Sequence, residues 1–417
     1  MNDDMLNGMK VLGLCHYLQG PAATQYLADL GADVIKIEPI AGAHERHWAG
    51  AGSFIDGVSS FFLCANRNKR SLAVDLKTPE GRDIVERLMA RSDAVVENFR
   101  PGVLDRLGFG YERAREINPA LIYASATGFG ASGPMRDSPG QDLLIQARCG
   151  LVAGTGERFS APKAVGAAVV DQHGGALLAM AVVAAYVRKL TTGQGARVES
   201  SLFNAGLDLQ AEALAAYINA GVQRDRYRRH PDLATWFHEA PYGVYRTRDD
   251  RFVVIGLNDP IQLARTLESD RLEALADCNR YEDRDAYATA VAEAVLRFDF
   301  GDFVARFDRA GLWYAPVQDY SDLQADPQAL HNEVFETIET EGLRFTLLNA
   351  AVRYDGKKLP TRRFALAAGA DTHAILSDLG METAQIDDLV ARRVVAAPRG
   401  SASRQVRTEP FRGVTHE

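Results

Sequence analysis

Cysteine is scarce in this 417-residue chain: Cys15, Cys64, Cys149 and Cys278 are scattered, with no Cys-x-x-Cys pair. That excludes a disulfide-stapled scaffold, and it points to a reducing cytoplasm with buried thiols. An excess of cations is also missing. Forty-seven Lys and Arg against 55 Asp and Glu leave a net charge of −8. The chain therefore lacks the global basic field of a nucleic-acid binder, and only a local Arg and Lys cluster could hold a polyanion. Long apolar runs are absent too: the longest, Ala176 to Val187, is too short to cross a bilayer. The opening MNDDMLNGMKVLGL carries acids where a secretory signal would carry lysines. No segment repeats at a fixed period, which excludes a solenoid or propeller.

What is present is an ordinary globular composition, 47% hydrophobic and 24% charged. The length exceeds one hydrophobic core, so two domains are expected. The first third alternates strand and helix signals. Met9–Leu14 is a short apolar run, and Gly20-Pro21 turns into a helical pattern over Ala22–Leu30 that stops at Gly31. Asp33–Glu38 follows as a strand ended by Pro39, then a strand at Ser71–Asp75, a helix over Thr78–Arg91, and strands at Ala94–Glu97 and Ile122–Ser125. Strands joined by helices imply crossovers and a parallel sheet covered on both faces. The fold class is α/β, Rossmann-like.

Gly174–Leu190 is apolar all round and predicts a helix buried in the body, with another element from Arg197 to Ser201. The texture changes near Arg224, and Tyr242–Arg246 with Phe252–Gly256 predicts a hairpin. Residues 1–224 read as the first part of a large domain and 225–330 as a smaller α+β domain. Residues 331–398, with helices over Asp371–Val390, return to the large domain, and 399–417 form a flexible tail.

Several motifs are candidates for chemistry. Gly128-Phe-Gly130-Ala-Ser-Gly133 is a literal G-x-G-x-x-G after a strand, but Pro134 follows at once where a dinucleotide fingerprint needs a helix. It predicts a flexible loop giving backbone access to a ligand. His44-Glu-Arg-His47 offers two imidazoles but no third ligand, too few for zinc. The basic run Arg224–Arg229 predicts a solvated loop. Val165-Gly-Ala-Ala-Val-Val-Asp171-Gln-His-Gly174-Gly175 is more informative. An apolar, strand-like run ends in one Asp that opens a helix with two glycines in its first turn. Asp171 is a natural N-cap, and a helix N-terminus favours the ionised carboxylate that a covalent nucleophile requires. The residues alone leave both readings open.

The chain also carries a series of ordered segments. They begin with Gly8-Met-Lys-Val-Leu, Gly20-Pro-Ala-Ala-Thr and Leu30-Gly-Ala-Asp-Val-Ile-Lys-Ile-Glu-Pro39. Asn66-Arg-Asn-Lys-Arg-Ser-Leu, Val96-Glu-Asn-Phe-Arg-Pro-Gly102, Asp105-Arg-Leu-Gly-Phe and Ser132-Gly-Pro follow, then Asp142-Leu-Leu-Ile-Gln-Ala, Gly193-Gln-Gly and Ala240-Pro-Tyr-Gly-Val-Tyr. In these it resembles the class III CoA-transferases, the group that includes formyl-CoA:oxalate and carnitine CoA-transferases, over nearly its whole length. The resemblance implies a Rossmann-like large domain built from both chain ends, a smaller inserted domain, and two chains interlocked as a homodimer. It implies acyl transfer from an acyl-CoA to a carboxylic acid, with Asp171 as nucleophile and neither metal nor tightly bound cofactor. CoA is then a substrate, and no nucleic acid or membrane is a partner.

By the same resemblance, Leu18, Gln19, Val74, Lys77, Asn98, Phe99, Arg100 and Arg106 line the CoA pocket, the cations being suited to phosphate. Gln141 and the backbone N–H groups of Gly174 and Gly175 flank the reacting acyl group, the latter as oxyanion donors. The chain departs from formyl-CoA-type relatives at Leu18, where they carry Gln and where Gln19 stands one place along, at Pro39, where they carry Arg, and near Thr127, where they carry Lys. Their glycine-rich gating loop has no counterpart here. The same fold supports an α-methylacyl-CoA racemase, whose members carry a Gly-His-Asp triplet; here it reads Gly140-Gln141-Asp142, and an amide cannot shuttle a proton.

Overall fold

The computed structural model describes residues 4–220, 229–398 and 406–411. Its main element is a seven-stranded sheet. Six of its strands are parallel, β1 (Lys10–Leu14), β2 (Asp33–Glu38), β3 (Lys69–Val74), β4 (Ala94–Glu97), β5 (Ile122–Thr127) and β6 (Ala196–Ser201), and the seventh, Val395–Ala396, is antiparallel. Their spatial order is β3-β2-β1-β4-β5-β6, the doubly wound order of a Rossmann sheet.

Period-2 alternation sends each strand's side chains to two separate cores. Leu12, Leu14, Ile35, Ile37, Leu72 and Val95 face one side, packed with Ile84 and Val85 of a helix at Pro79–Ala90. Val11, Val34, Val96, Ile122 and Ala124 face the other. That second face is covered by α1 (Gln19–Asp29) and by a 24-residue helix, α2 (Val169–Thr192), through Ala23, Leu27, Leu178 and Val182. Burying each such Val, Leu or Ile contributes about 1.5–3 kcal/mol.

The chain divides into two compact units. One comprises residues 1–145, 168–209 and 324–417, the other 146–167 and 210–323. The second therefore contains a segment, 146–167, that composition placed with the large domain. Long-range contacts fix it there: Gln210 Nε2 donates to the Cys149 carbonyl (3.1 Å), Arg229 Nη2 to the Thr155 carbonyl (2.8 Å), and Arg158 pairs with Asp285 (2.6 Å). The second unit holds a three-stranded antiparallel sheet of Gly243–Arg246, Phe252–Ile255 and Tyr314–Pro316 over its own core.

In the first unit the late segment closes the fold. Val395–Ala396 adds to β3 antiparallel, and helices at Thr372–Asp378 and Thr383–Ala391 bring Ile375, Leu376 and Ile386 onto the first core face. The tail differs from expectation at Arg407–Pro410, which pairs antiparallel with Phe335–Thr340 as a strand. Residues 399–405 and 412–417 lie outside the described residues.

The long helix also differs from its sequence reading. Only one face of α2 is buried, and Met180 (63%), Val187 and Leu190 are exposed. At 24 residues it has the length and composition of a membrane span, while its buried face packs on α1 and the sheet.

Candidate active site

In an open α/β sheet the ligand crevice lies beyond the carboxyl ends of the strands, where the strand order reverses. Here that point falls between β1 and β4. The two strand ends are clamped together: His16 N donates to Asn98 Oδ1 (2.9 Å), and Asn98 Nδ2 donates to the His16 carbonyl (2.7 Å). Asn98 is thus a brace of the crevice. Gly20, in the first turn of α1, is required here, because a Cβ would lie 2.7 Å from Cys15 Sγ and 3.0 Å from Asn98 Cγ.

Asp171 is the third residue of α2, one turn later than a cap, and the preceding Val165–Val170 forms no strand. The cap comes from elsewhere. Asp142, which opens a short helix at Asp142–Arg148, accepts from both Val170 N (2.8 Å) and Asp171 N (2.9 Å) through one oxygen. Backbone contact between Gly128 and Gly140 supports that reach: a Cβ on Gly128 would lie 2.8 Å from Gly140 Cα. The glycine motif therefore serves as a close loop crossing just ahead of Asp142.

The electrostatics of Asp171 reverse the expectation from the helix field. Its carboxyl is pushed up to about 7, first by burial and then by the Asp142 carboxylate. The favourable helix field is worth only about 0.3–1 kcal/mol and falls off within a turn, and Asp142 already occupies two of its N–H groups. His173 turns to Asp208 (2.7 Å).

Gly174 and Gly175 were expected to supply oxyanion donors. They lie inside α2, where N–H groups pair with carbonyls four residues earlier. What they supply is space for α1. A Cβ on Gly175 would lie 2.9 Å from the Gln19 carbonyl and 3.0 Å from Ala22 Cβ; one on Gly174 would lie 2.8 Å from Gln19 Nε2. Gln19 is 4% exposed, and its Nε2 has no hydrogen-bond partner.

The remaining candidates follow the carboxyl ends of β1, β3 and β4. Leu18, the residue before α1, is buried against Ala22 and Ala65. Val74 is buried at the end of β3 and pairs with Val395, while Lys77 just beyond it is exposed. Phe99 follows the Asn98 brace, its ring 4.9 Å from that of His16. Arg100 and Arg136 are exposed on the rim of a cavity of about 130 Å³ that also takes in Glu97, Ser125 and Thr127. Arg106 is exposed, with Nη1 3.4 Å from where a Gly102 Cβ would stand and Arg136 Nη2 at 3.7 Å from the same point. The structure thus gathers Leu18, Gln19, Asn98 and Phe99 around the β1–β4 crevice and collects Arg100 and Arg106 around Gly102. Gln141 is exposed and immediately precedes Asp142. Asp142 and Arg136 were the residues that sequence reasoning passed over. An Asp opening a helix was the only local sign of the former.

Other motifs have structural destinations. His44 stacks near Tyr17 (5.3 Å) and His47 Nε2 lies 2.7 Å from the Ala41 carbonyl. Among the described residues no three His, Cys, Asp or Glu side chains converge as metal ligands. Arg229, the described end of the basic run, is spent on the carbonyls of Leu233 and Thr155; residues 221–228 lie outside the described residues. Cys15 and Cys149 are buried, but Cys64 is exposed and Cys278 half-buried, so the thiols are not uniformly interior. Burial pushes the Cys15 thiol up to about 12, which leaves it unreactive.

Comparison with known proteins bears on this geometry. Residues 6–372 match the model of CoA-transferase family III. The chain is 32% identical over 399 residues to an acyl-CoA transferase of Fusarium pseudograminearum, covering 91% of this chain and 86% of the relative. It is also 32% identical to the human succinyl-CoA:glutarate CoA-transferase, covering 94% and 90%. Among solved structures, a CAIB/BAIF family protein from Brucella suis superimposes with a TM-score of 0.75 at 30% identity, covering 90% of this chain and 99% of that one.

Proposed function

The chain belongs to CoA-transferase family III and is an enzyme of that class, and from that premise we propose that it moves CoA from an acyl-CoA donor to a carboxylic acid through covalent chemistry at Asp171. The observation that carries the reading is the placement of Asp171. Its half-buried carboxyl lies in the first turn of α2, one turn ahead of Gly174 and Gly175, where that helix packs against Gln19 and Ala22 at the start of α1, the helix that follows β1 out of the crevice.

The carboxylate attacks the donor thioester carbonyl, the C–S bond breaks, and a mixed anhydride and CoA thiolate result. The thiolate then attacks the aspartyl carbonyl, releasing the donor acid and leaving an aspartyl-CoA thioester. The acceptor carboxylate repeats the sequence in reverse, and Asp171 returns as carboxylate. Each bond broken is replaced by one of similar energy, so no ATP is consumed. A carboxyl with a pKa near 7 supports this role: it is a stronger nucleophile than an ordinary carboxylate and still substantially ionised at neutral pH. Lys77, Arg100 and Arg106 meet the CoA phosphates, Phe99 and Leu18 its apolar parts, and the working unit is a homodimer.

The same pKa favours a second reading, in which Asp171 acts as a base on the carbon α to the thioester. Racemization also requires proton delivery from the opposite face, where Gln141 offers only an amide. Deuterium incorporation with inversion at the α-carbon of a 2-methylacyl-CoA in D₂O would select that reading.

The test of the transferase is a panel of succinyl-, acetyl- and formyl-CoA donors against small mono- and dicarboxylic acids, read by mass spectrometry. Formation of a new acyl-CoA by the wild type and its loss in a folded Asp171→Ala variant is the expected result. Transfer that survives in Asp171→Ala would remove Asp171 from the mechanism.

A further inference from the structure

Attack on a thioester leaves a negative charge on the former carbonyl oxygen, and that oxygen needs a donor held ready in a dry site. The first turn of α2 does not provide one through its main chain. Asp142 takes the N–H groups of Val170 and Asp171 (2.8 and 2.9 Å), Gln172 N bonds the Ala168 carbonyl (3.1 Å), and Gly174 and Gly175 lie within the helix.

A side-chain donor lies against the same helix. Gln19 is 4% exposed, and its Nε2 has no hydrogen-bond partner. That nitrogen stands 2.8 Å from the point where Gly174 would carry a Cβ. Gly174 and Gly175 are three and four residues beyond Asp171, so all three share one face of α2. Leaving a buried amide donor unpaired is destabilising, yet the fold keeps it here.

Resting on the transferase reading above, we infer that Gln19 Nε2 is the oxyanion donor for acyl groups reacting at Asp171. As the Asp171 oxygen forms its bond to the acyl carbon, the carbonyl π pair moves onto the acyl oxygen, and Gln19 donates to it without giving up its proton. When the C–S bond breaks, the pair returns and CoA leaves as thiolate. The small residue at 174 is what admits the acyl oxygen to the amide.

Gln19→Met preserves bulk and removes the donor. With the donor and acceptor that the wild type turns over best in the panel above, kcat should fall about 10²–10³-fold, with KM for the acyl-CoA changed less than about threefold. The melting temperature of the free variant should equal or exceed that of the wild type, since an unpaired buried donor has been removed. A merely structural glutamine would give the opposite pair, a lowered melting temperature with kcat little changed, and would overturn the inference. So would a rise in KM at constant kcat, which marks a ground-state contact. If the wild type transfers nothing across the panel, the functional reading itself falls, whereas an active wild type with an equally active Gln19→Met refutes only Gln19.

Discussion

Asp171 lies in the first turn of a 24-residue helix, a position that by itself stabilises a carboxylate, yet its carboxyl is pushed up to about 7. Burial outweighs the helix field, and the Asp142 carboxylate adds to it. A carboxyl raised in this way binds its proton more tightly folded than unfolded. Its contribution to stability is present below the ordinary value near 3.8 and is lost as pH rises to about 7. Asp171→Asn should therefore melt higher than the wild type at pH 8, by at most roughly 4 kcal/mol at 1.36 kcal/mol per pKa unit, and nearly level with it at pH 4. Thermal melts at the two pH values check this; equal stability at pH 8 would contradict the raised pKa. At this scale the sequence was informative about Asp171 and silent about its partner. The Asp and its two glycines are adjacent in the chain, but Asp142 acts across 28 and 29 residues through two hydrogen bonds that no local pattern encodes.

Among the elements, those fixed by local rules were legible. β2 over Asp33–Glu38 and β4 over Ala94–Glu97 match their expected bounds, because β-branched runs ended by proline or a turn have one reading. The start of α2 was not legible, since Val165–Val170 carries strand-like residues and the helix begins where Asp142, a distant side chain, caps it. Two predictions belong here. Asp142→Asn keeps an oxygen for the cap, Asn being as good a cap as Asp, and removes a negative charge beside Asp171. The acid limb of the transfer rate, set near pH 7 by a group that must be ionised, should move to lower pH, as a pH–rate profile will show. Gly175→Ala drives a methyl to 2.9 Å from the Gln19 carbonyl and 3.0 Å from Ala22 Cβ. It should force α1 and α2 apart at a cost of about 1–3 kcal/mol, measured by denaturant unfolding.

On the scale of the whole molecule, the parallel sheet and its α/β class followed from the alternation of strand and helix signals, and the order β3-β2-β1-β4-β5-β6 gives that class its crevice. The second unit was only partly legible: residues 210–323 largely follow a change of texture, whereas 146–167 belongs to it through tertiary hydrogen bonds alone. Met180, Val187 and Leu190 leave an apolar stripe on α2 exposed in the single chain, which accords with the homodimer proposed above. Light scattering should give twice the 45.5 kDa chain mass, and Val187→Asp should lower the dimer fraction or the yield of folded protein.

The central claim, covalent transfer through Asp171, fixes the path of one oxygen atom. When the acceptor carboxylate attacks the aspartyl thioester, its oxygen becomes the bridge of the second anhydride. It stays with the aspartate when CoA leaves for the new acyl group. An acceptor acid labelled with ¹⁸O in both carboxylate oxygens should therefore leave one ¹⁸O per turnover in the side chain of Asp171, read by mass spectrometry of the peptide that contains it. Acyl-CoA product formed while that peptide remains unlabelled would contradict the claim and show that the two substrates react without passing through Asp171.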